Sequence, residues 1–164
     1  MLVRDVMTAD PVTCQESDTL AEVVTRMQER NCGCLPVLDR TGKQLLGIVT
    51  DRDVALCATR LQEPLAEATA GAAMSKQVHG TRADFEITNA LETMRIHRVR
   101  RLPVVDAKGK LVGLLSLDDC ARKNVDPKAV CRVLAAMTSR PPAATFGATH
   151  EGAASDLYRD PRVD

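Results

Sequence analysis

Gly47-Ile48-Val49-Thr50-Asp51-Arg52-Asp53 comes back later in the chain as Gly113-Leu114-Leu115-Ser116-Leu117-Asp118-Asp119. Both stretches read as Gly, two apolar residues, a hydroxyl residue, two spacers and an Asp. Working outward, the match continues. Leu35-Pro36-Val37 falls on Leu102-Pro103-Val104, Asp39 on Asp106, and Gly42-Lys43 on Gly109-Lys110. Further upstream Met27 falls on Met94 and Met7 on Met74; downstream, with Gln44 passed over, Ala55 falls on Ala121. The period is too long for a solenoid, so two copies imply a tandem or pseudo-twofold pair of small domains.

Each copy predicts the same elements. A short extended segment lies near Val12-Thr13 and again near Val78-Gly80. An amphipathic helix follows, with Leu20, Val23, Val24 and Met27, or Ile87, Ala90, Leu91 and Met94, at i, i+3, i+4 and i+7. Ser17, Asp18 and Thr19 are N-cap candidates for the first, Asp84 for the second. Then come a strand, Leu35 to Asp39 or Leu102 to Asp106, with Pro placed for a strand start or edge, a Gly-containing turn, and a second strand, Leu45 to Val49 or Leu111 to Leu115. A final helix opens at Thr50 or Ser116. The expected fold is α/β in the α+β sense, two β-α-β-β-α units. One such unit alone buries little surface, so pairing is the physical expectation. The divisions are residues 1–60, a partly helical connector at 61–72, the second unit at 73–124, a helix at 125–139 opened by Asp126-Pro127, and a flexible tail at 140–164. Val130, Val133, Leu134 and Met137 give the last helix an apolar stripe expected to pack on its own module.

Composition narrows the function. The 164 residues are 45% hydrophobic yet include two Phe, one Tyr and no Trp, so the core is aliphatic and folds that stack bases on aromatic rings are excluded. Lys+Arg and Asp+Glu balance at 22 each, which argues against a general nucleic-acid binder. No apolar run approaches a membrane span and Met1-Leu2-Val3-Arg4-Asp5 is not a signal pattern, so a cytoplasmic protein is expected. The six cysteines include one close pair, Cys32 and Cys34, without C-x-x-C spacing or a nearby His; small apolar side chains in a reduced protein are the expectation, and no metal site. No Walker loop, H-E-x-x-H or nucleophile elbow is present. His79, His97 and His150 assemble no acid–base or nucleophilic set, so no enzyme is expected; His97, near a helix end, suits a cation at the dipole's negative pole.

The repeated Thr/Ser-x-x-Asp has two readings. A hydroxyl residue three places before an acid forms a capping box that satisfies free helix N–H groups. The same geometry places a hydroxyl and a carboxylate where a strand meets a helix N-terminus, and a carboxylate accepts hydrogen bonds from the vicinal hydroxyls of a ribose. The preceding Gly allows close approach of a ligand or of backbone.

Residues 1 to about 124 resemble a tandem pair of CBS domains, the cystathionine-β-synthase-type regulatory module. The resemblance is carried by Val3-Arg4-Asp5-Val6-Met7-Thr8, Cys34 through Asp39, Gly47 through Asp53, Val99 through Asp106 and Gly113 through Asp119. It implies a stand-alone regulatory protein with no required cofactor. The ligand would be an adenosine nucleotide (AMP, ADP or ATP) or S-adenosylmethionine, held in clefts between paired domains. By the same resemblance Asp53 and Asp119 would bind ribose, and Thr50 and Ser116 ribose or phosphate. Val12, Thr13, Leu35 and Pro36 would form one adenine pocket, and Val78, Gly80, Leu102 and Pro103 the other. Gly80 departs from the side chain common there, so that contact would be main-chain. Arg52 could face phosphates, whereas its counterpart Asp118 could not. Arg100 and Arg101, in a basic run and standing where the first copy has Gly33 and Cys34, suit di- or triphosphates. A homodimer and an unknown downstream protein are the implied partners. The alternative is a nucleotide-free dimerising scaffold whose Ser/Thr–Asp pairs only cap helices.

Overall fold

The computed structural model describes residues 1–138, so the expected tail at 140–164 and the last residue of the 125–139 helix lie outside the described residues. In chain order the elements are α1 (Val3–Val6), β1 (Thr8–Ala9), β2 (Cys14–Gln15), α2 (Leu20–Glu29), β3 (Cys34–Leu38), β4 (Leu45–Thr50), α3 (Asp51–Leu61), α4 (Ala70–Ala73), β5 (Thr81–Arg82), α5 (Ile87–His97), β6 (Arg101–Val105), β7 (Leu111–Ser116), α6 (Leu117–Arg122) and α7 (Pro127–Thr138). The fold is α+β with two small sheets, ordered β2-β3-β4 and β1-β7-β6-β5. Parallel β2–β3 pairing sets Cys14 against Val37, parallel β5–β6 pairing sets Thr81 against Val104, and the β3–β4 ladder is antiparallel. The extended segments expected at Val12-Thr13 and Val78-Gly80 thus join their sheets slightly later, at Cys14 and Thr81.

Two compact units form, and neither is contiguous in sequence. One holds Asp10–Val78 with Gly109–Leu111; the other holds Met1–Ala9, His79–Lys108 and, among the described residues, Val112–Thr138. The start of each sequence repeat therefore packs in the other repeat's unit. The Val3 and Arg4 N–H groups donate to the Phe85 and Ala83 carbonyls at 2.8 and 3.0 Å, and at matching positions Ala70 and Gly71 donate to Asp18 and Glu16 at 2.8 and 2.9 Å. Strand β1 pairs with β7, and Ser75 bridges Ile48 in the same way. Helices α1 and α4 are single turns, too short for a 3.6-residue period to show in the sequence.

The repeated glycines follow from this exchange. A Cβ on Gly47 would lie 2.6 Å from the Met74 sulfur and 2.9 Å from the Ser75 carbonyl oxygen, and one on Gly113 would overlap the Met7 sulfur. Of the two close approaches expected there, by a ligand or by backbone, the structure shows backbone at Gly47, with a methionine side chain from the docked segment at both glycines.

Pro36 sits inside β3 rather than at its start, opposite Ile48. The Ile48 N–H and C=O are spent on Ser75 at 3.2 and 2.9 Å, so Pro36 faces a pair that exchanges no ladder bonds. On its other side the two-residue β2 pairs only with Val37 and Leu38, so the missing N–H leaves no gap in a ladder.

The cores are aliphatic as composition required. Leu20, Leu35, Met94, Leu102 and Leu115 are the largest fully buried side chains, and Phe85 only packs at the margin. Thr19 caps α2 in a box with Glu22. Helix α5 is capped by Glu86 without a side-chain bond, not by Asp84. Arg82 takes the Asp84 carboxylate at 2.9 and 2.8 Å, which removes Asp84 from capping. Helix α7 packs on α5 and α6 of its own unit through Val130, Val133 and Met137, as expected; Leu134 departs from the stripe at 46% exposed.

Candidate functional site

Thr50 ends β4 in extended geometry and caps α3. Its Oγ1 accepts the Asp53 N–H at 3.2 Å, while Asp53 Oδ2 accepts the Thr50 N–H at 2.9 Å and the Thr50 hydroxyl at 2.7 Å. Ser116 and Asp119 repeat this at α6, with distances of 3.0, 2.9 and 2.5 Å in the same order. Both pairs are complete capping boxes, and in each one carboxylate oxygen is fully occupied.

The second oxygens differ. Asp119 Oδ1 accepts from the Arg122 guanidinium and lies 3.5 Å from the Thr8 hydroxyl of β1; the residue is 7% exposed. Asp53 is half-buried, and its Oδ1 takes no hydrogen bond from any described residue. Leu56 stands where the second copy has Arg122.

Next to these boxes the backbone matches again. The Asp51 N–H donates to the Gly33 carbonyl at 3.2 Å, and the Leu117 N–H to the Arg100 carbonyl at 3.0 Å. Arg100 is therefore beside the start of α6, with its side chain exposed, while Arg101 is half-buried at the head of β6. In the same basic run Arg95 is paired with Glu92 at 2.6 Å. Arg52 is exposed in the first turn of α3. Leu35, Pro36, Leu102 and Pro103 are buried in the strands, and Val12 and Thr13 are half-buried ahead of β2. One unit thus gathers Val12, Thr13, Leu35, Pro36, Thr50 and Asp53. The other gathers Gly80, Leu102, Pro103, Ser116 and Asp119, and Val78 falls in the first.

Two features were not visible beforehand. The His79 and His97 rings stack with centroids 3.6 Å apart at 13°. Burial, and for His79 also the charge of His97, pushes both imidazoles below the usual histidine range. The expectation of a cationic His97 is corrected: its surroundings favour the neutral ring. The second feature is an apolar groove of about 440 Å³ between α2 and α3, lined by Val24, Met27, Val54, Ala55 and Leu65 with Asp51 at its rim. Val24, expected in the buried stripe, is 37% exposed, whereas its counterpart Leu91 is 3% exposed beneath α7. Only the second copy is followed by a covering helix.

Among the described residues no group of three or more His, Cys, Asp or Glu is placed to hold a metal, and no helix is long and apolar enough to cross a membrane.

The described chain thus holds two β-α-β-β-α units, each with a capped carboxylate where its second hairpin strand enters a helix. The sequence profile of the CBS domain matches residues 3–58 and 70–126, so the chain belongs to the CBS-domain family. It is 36% identical over 117 residues to the uncharacterised protein YlbB of Bacillus subtilis, covering 71% of this chain and 78% of YlbB. Among solved structures it is similar to Hypoxic Response Protein I, determined with two coordinated zinc ions (31% identity, TM-score 0.67, covering 74% of this chain and 98% of that one). It is also similar to CBSX2 in complex with AMP (28% identity, TM-score 0.64, 77% and 98% covered).

Proposed function

We propose that the chain is a regulatory, non-enzymatic module that binds an adenosine nucleotide and reports energy state through a change of conformation or assembly. The observation that carries this reading is the carboxylate at the start of α3. One oxygen closes the capping box, and the other is left to accept from a ribose diol at the start of α3. The AMP bound by the similar CBSX2 supports the ligand class. In this reading Thr50 and Asp53 are the ribose and phosphate residues of the first repeat, and Ser116 and Asp119 are their counterparts in the second. The adenine contacts come from Val12, Thr13, Leu35 and Pro36 in one unit, and from Gly80, Leu102 and Pro103 in the other. Arg52, Arg100 and Arg101 answer phosphates. With Phe85 the one Phe, Tyr or Trp among the described residues, adenine is held by aliphatic side chains and main-chain hydrogen bonds. A second copy docks on the open α2–α3 groove: the matching face of the other repeat already accepts an amphipathic helix, so the shape suits helix packing.

Thermal stabilisation by ATP, ADP, AMP, S-adenosylmethionine and NADH, each at millimolar concentration, tests the ligand. Binding raises the melting temperature by mass action, and Asp53→Ala removes the increment relative to its own ligand-free melt. No shift with any of the five leaves the scaffold reading. That reading has its own support, because both Ser/Thr–Asp pairs are complete caps and so have a structural reason to exist. Nucleotide turnover would point instead to an enzyme.

A further inference from the structure

The two repeats carry the same ribose motif but present it differently, and Arg122 is what separates them. Resting on the nucleotide reading above, we propose that the chain takes one adenosine nucleotide through Asp53, and that the Arg122–Asp119 ion pair closes the second motif to a ribose diol.

The argument is one of acceptor capacity. A carboxylate gives its two oxygens to whatever donors reach it. In both copies Oδ2 is committed to the cap. In the second copy Oδ1 is committed too, to the Arg122 guanidinium with the Thr8 hydroxyl 3.5 Å away, in a residue only 7% exposed. A ribose there would have to displace a charged donor from a nearly buried acceptor and leave the guanidinium without its partner. In the first copy Leu56 brings no donor, and Asp53 Oδ1 meets none among the described residues. The helices differ in the same sense: α3 runs for 11 residues, whereas α6 has only 6 and less dipole to offer an anion. Asp118 also adds a negative charge to the first turn of α6 where α3 has Arg52. Arg100, beside α6, can attract a phosphate, but a guanidinium cannot accept from a diol.

Calorimetric titration with AMP tests this on the full chain and on Arg122→Leu and Leu56→Arg, which exchange the two residues. The wild type should bind about one nucleotide per chain. Arg122→Leu should add a second binding event, and Leu56→Arg should weaken the first on the order of tenfold, the loss expected when a charge-assisted hydrogen bond is blocked. Arg122 is 72% exposed along its side chain, so its replacement leaves the core untouched; unchanged circular dichroism confirms folding, and Arg122→Gln serves as the second variant. Two equivalent sites in the wild type, or a neutral Leu56→Arg together with no second event in either Arg122 variant, would overturn the proposal while leaving nucleotide binding intact. Absence of heat with AMP and with the other adenosine ligands would overturn both.

Discussion

Gly47→Ala and Gly113→Ala insert the same methyl group at matching positions, yet the structure assigns them different costs. At Gly113 the three atoms nearest the new Cβ all belong to Met7: its sulfur, and its Cγ and Cε at 3.0 and 3.1 Å. A thioether at the end of a flexible chain can swing aside. At Gly47 the new Cβ meets the Met74 sulfur at 2.6 Å and also the Ser75 carbonyl oxygen at 2.9 Å. That oxygen is fixed by its hydrogen bond from the Ile48 N–H at 3.2 Å, so the docked segment itself must move. Overpacking a core costs about 1–3 kcal/mol, and replacing Gly returns about 0.4–1 kcal/mol by restricting the unfolded chain. Gly113→Ala should therefore lower stability by about 1 kcal/mol or less, and Gly47→Ala by about 2 kcal/mol or more. At this chain length those losses correspond to melting-temperature drops of about 2–4 °C per kcal/mol. The assay is thermal and urea unfolding followed by circular dichroism, with Met7→Ala and Met74→Ala added to complete two double-mutant cycles. Met7→Ala should recover most of the Gly113→Ala loss, because the atoms nearest the methyl all belong to that side chain. Met74→Ala should recover only part of the Gly47→Ala loss, because the carbonyl remains. Equal costs at the two glycines, or full rescue by Met74→Ala, would refute the reasoning from segment exchange.

Three further outcomes are expected. Thr50→Ala and Ser116→Ala should each cost about 1 kcal/mol in ligand-free unfolding, the usual loss for a helix cap; a value near zero for either would mean its capping box carries no stability. The His79–His97 stack favours neutral rings, so its contribution is complete above the ordinary histidine pKa of about 6.5 and is lost as pH falls below it. Melting temperature should drop between pH 7.5 and 5.5, where side-chain carboxylates scarcely titrate, and the drop should shrink in His79→Asn/His97→Asn. Burial pushes the Cys14 thiol to about 12 and the Cys120 thiol to about 11, while Cys131 is exposed on α7. Ellman's reagent at pH 8 should therefore label Cys131 in the native protein and reach Cys14 and Cys120 only on unfolding, as peptide mapping would show.

The open α2–α3 groove bears on how such a module could act. Shape or assembly can respond to a nucleotide only through different affinities for the alternative states. Asp51, at the groove's rim, is the first residue of α3, the helix whose third residue is Asp53. A second copy seated in the groove and a nucleotide at Asp53 would thus share one helix, so Val24→Glu, at an exposed residue lining the groove, is a direct probe of assembly by sedimentation.

Much of this protein was settled by the sequence alone, because the deciding interactions are local or periodic. A capping box spans three residues, so Thr50-x-x-Asp53 and Ser116-x-x-Asp119 declare themselves without a fold. The amphipathic stripe of α5 needs only a count of 3.6 per turn, and the repeat supplies each element twice. The Arg122–Asp119 pair was legible in principle as an Asp-x-x-Arg spacing present in one copy and absent from the other. Tertiary structure decided what depends on residues far apart in the chain. Met7 lies beside Gly113 and Met74 beside Gly47 only because each repeat's first segment leaves its own unit for the other. Thr8 reaches Asp119 by the same exchange, and His79 stacks on His97 through packing within its own unit. Val24 and Leu91 occupy equivalent helix positions and look alike in sequence, yet one is open and the other covered, because α7 follows only the second copy. Local hydrogen bonding and periodicity select the elements; which surfaces they bury is fixed by partners that no short window of sequence contains.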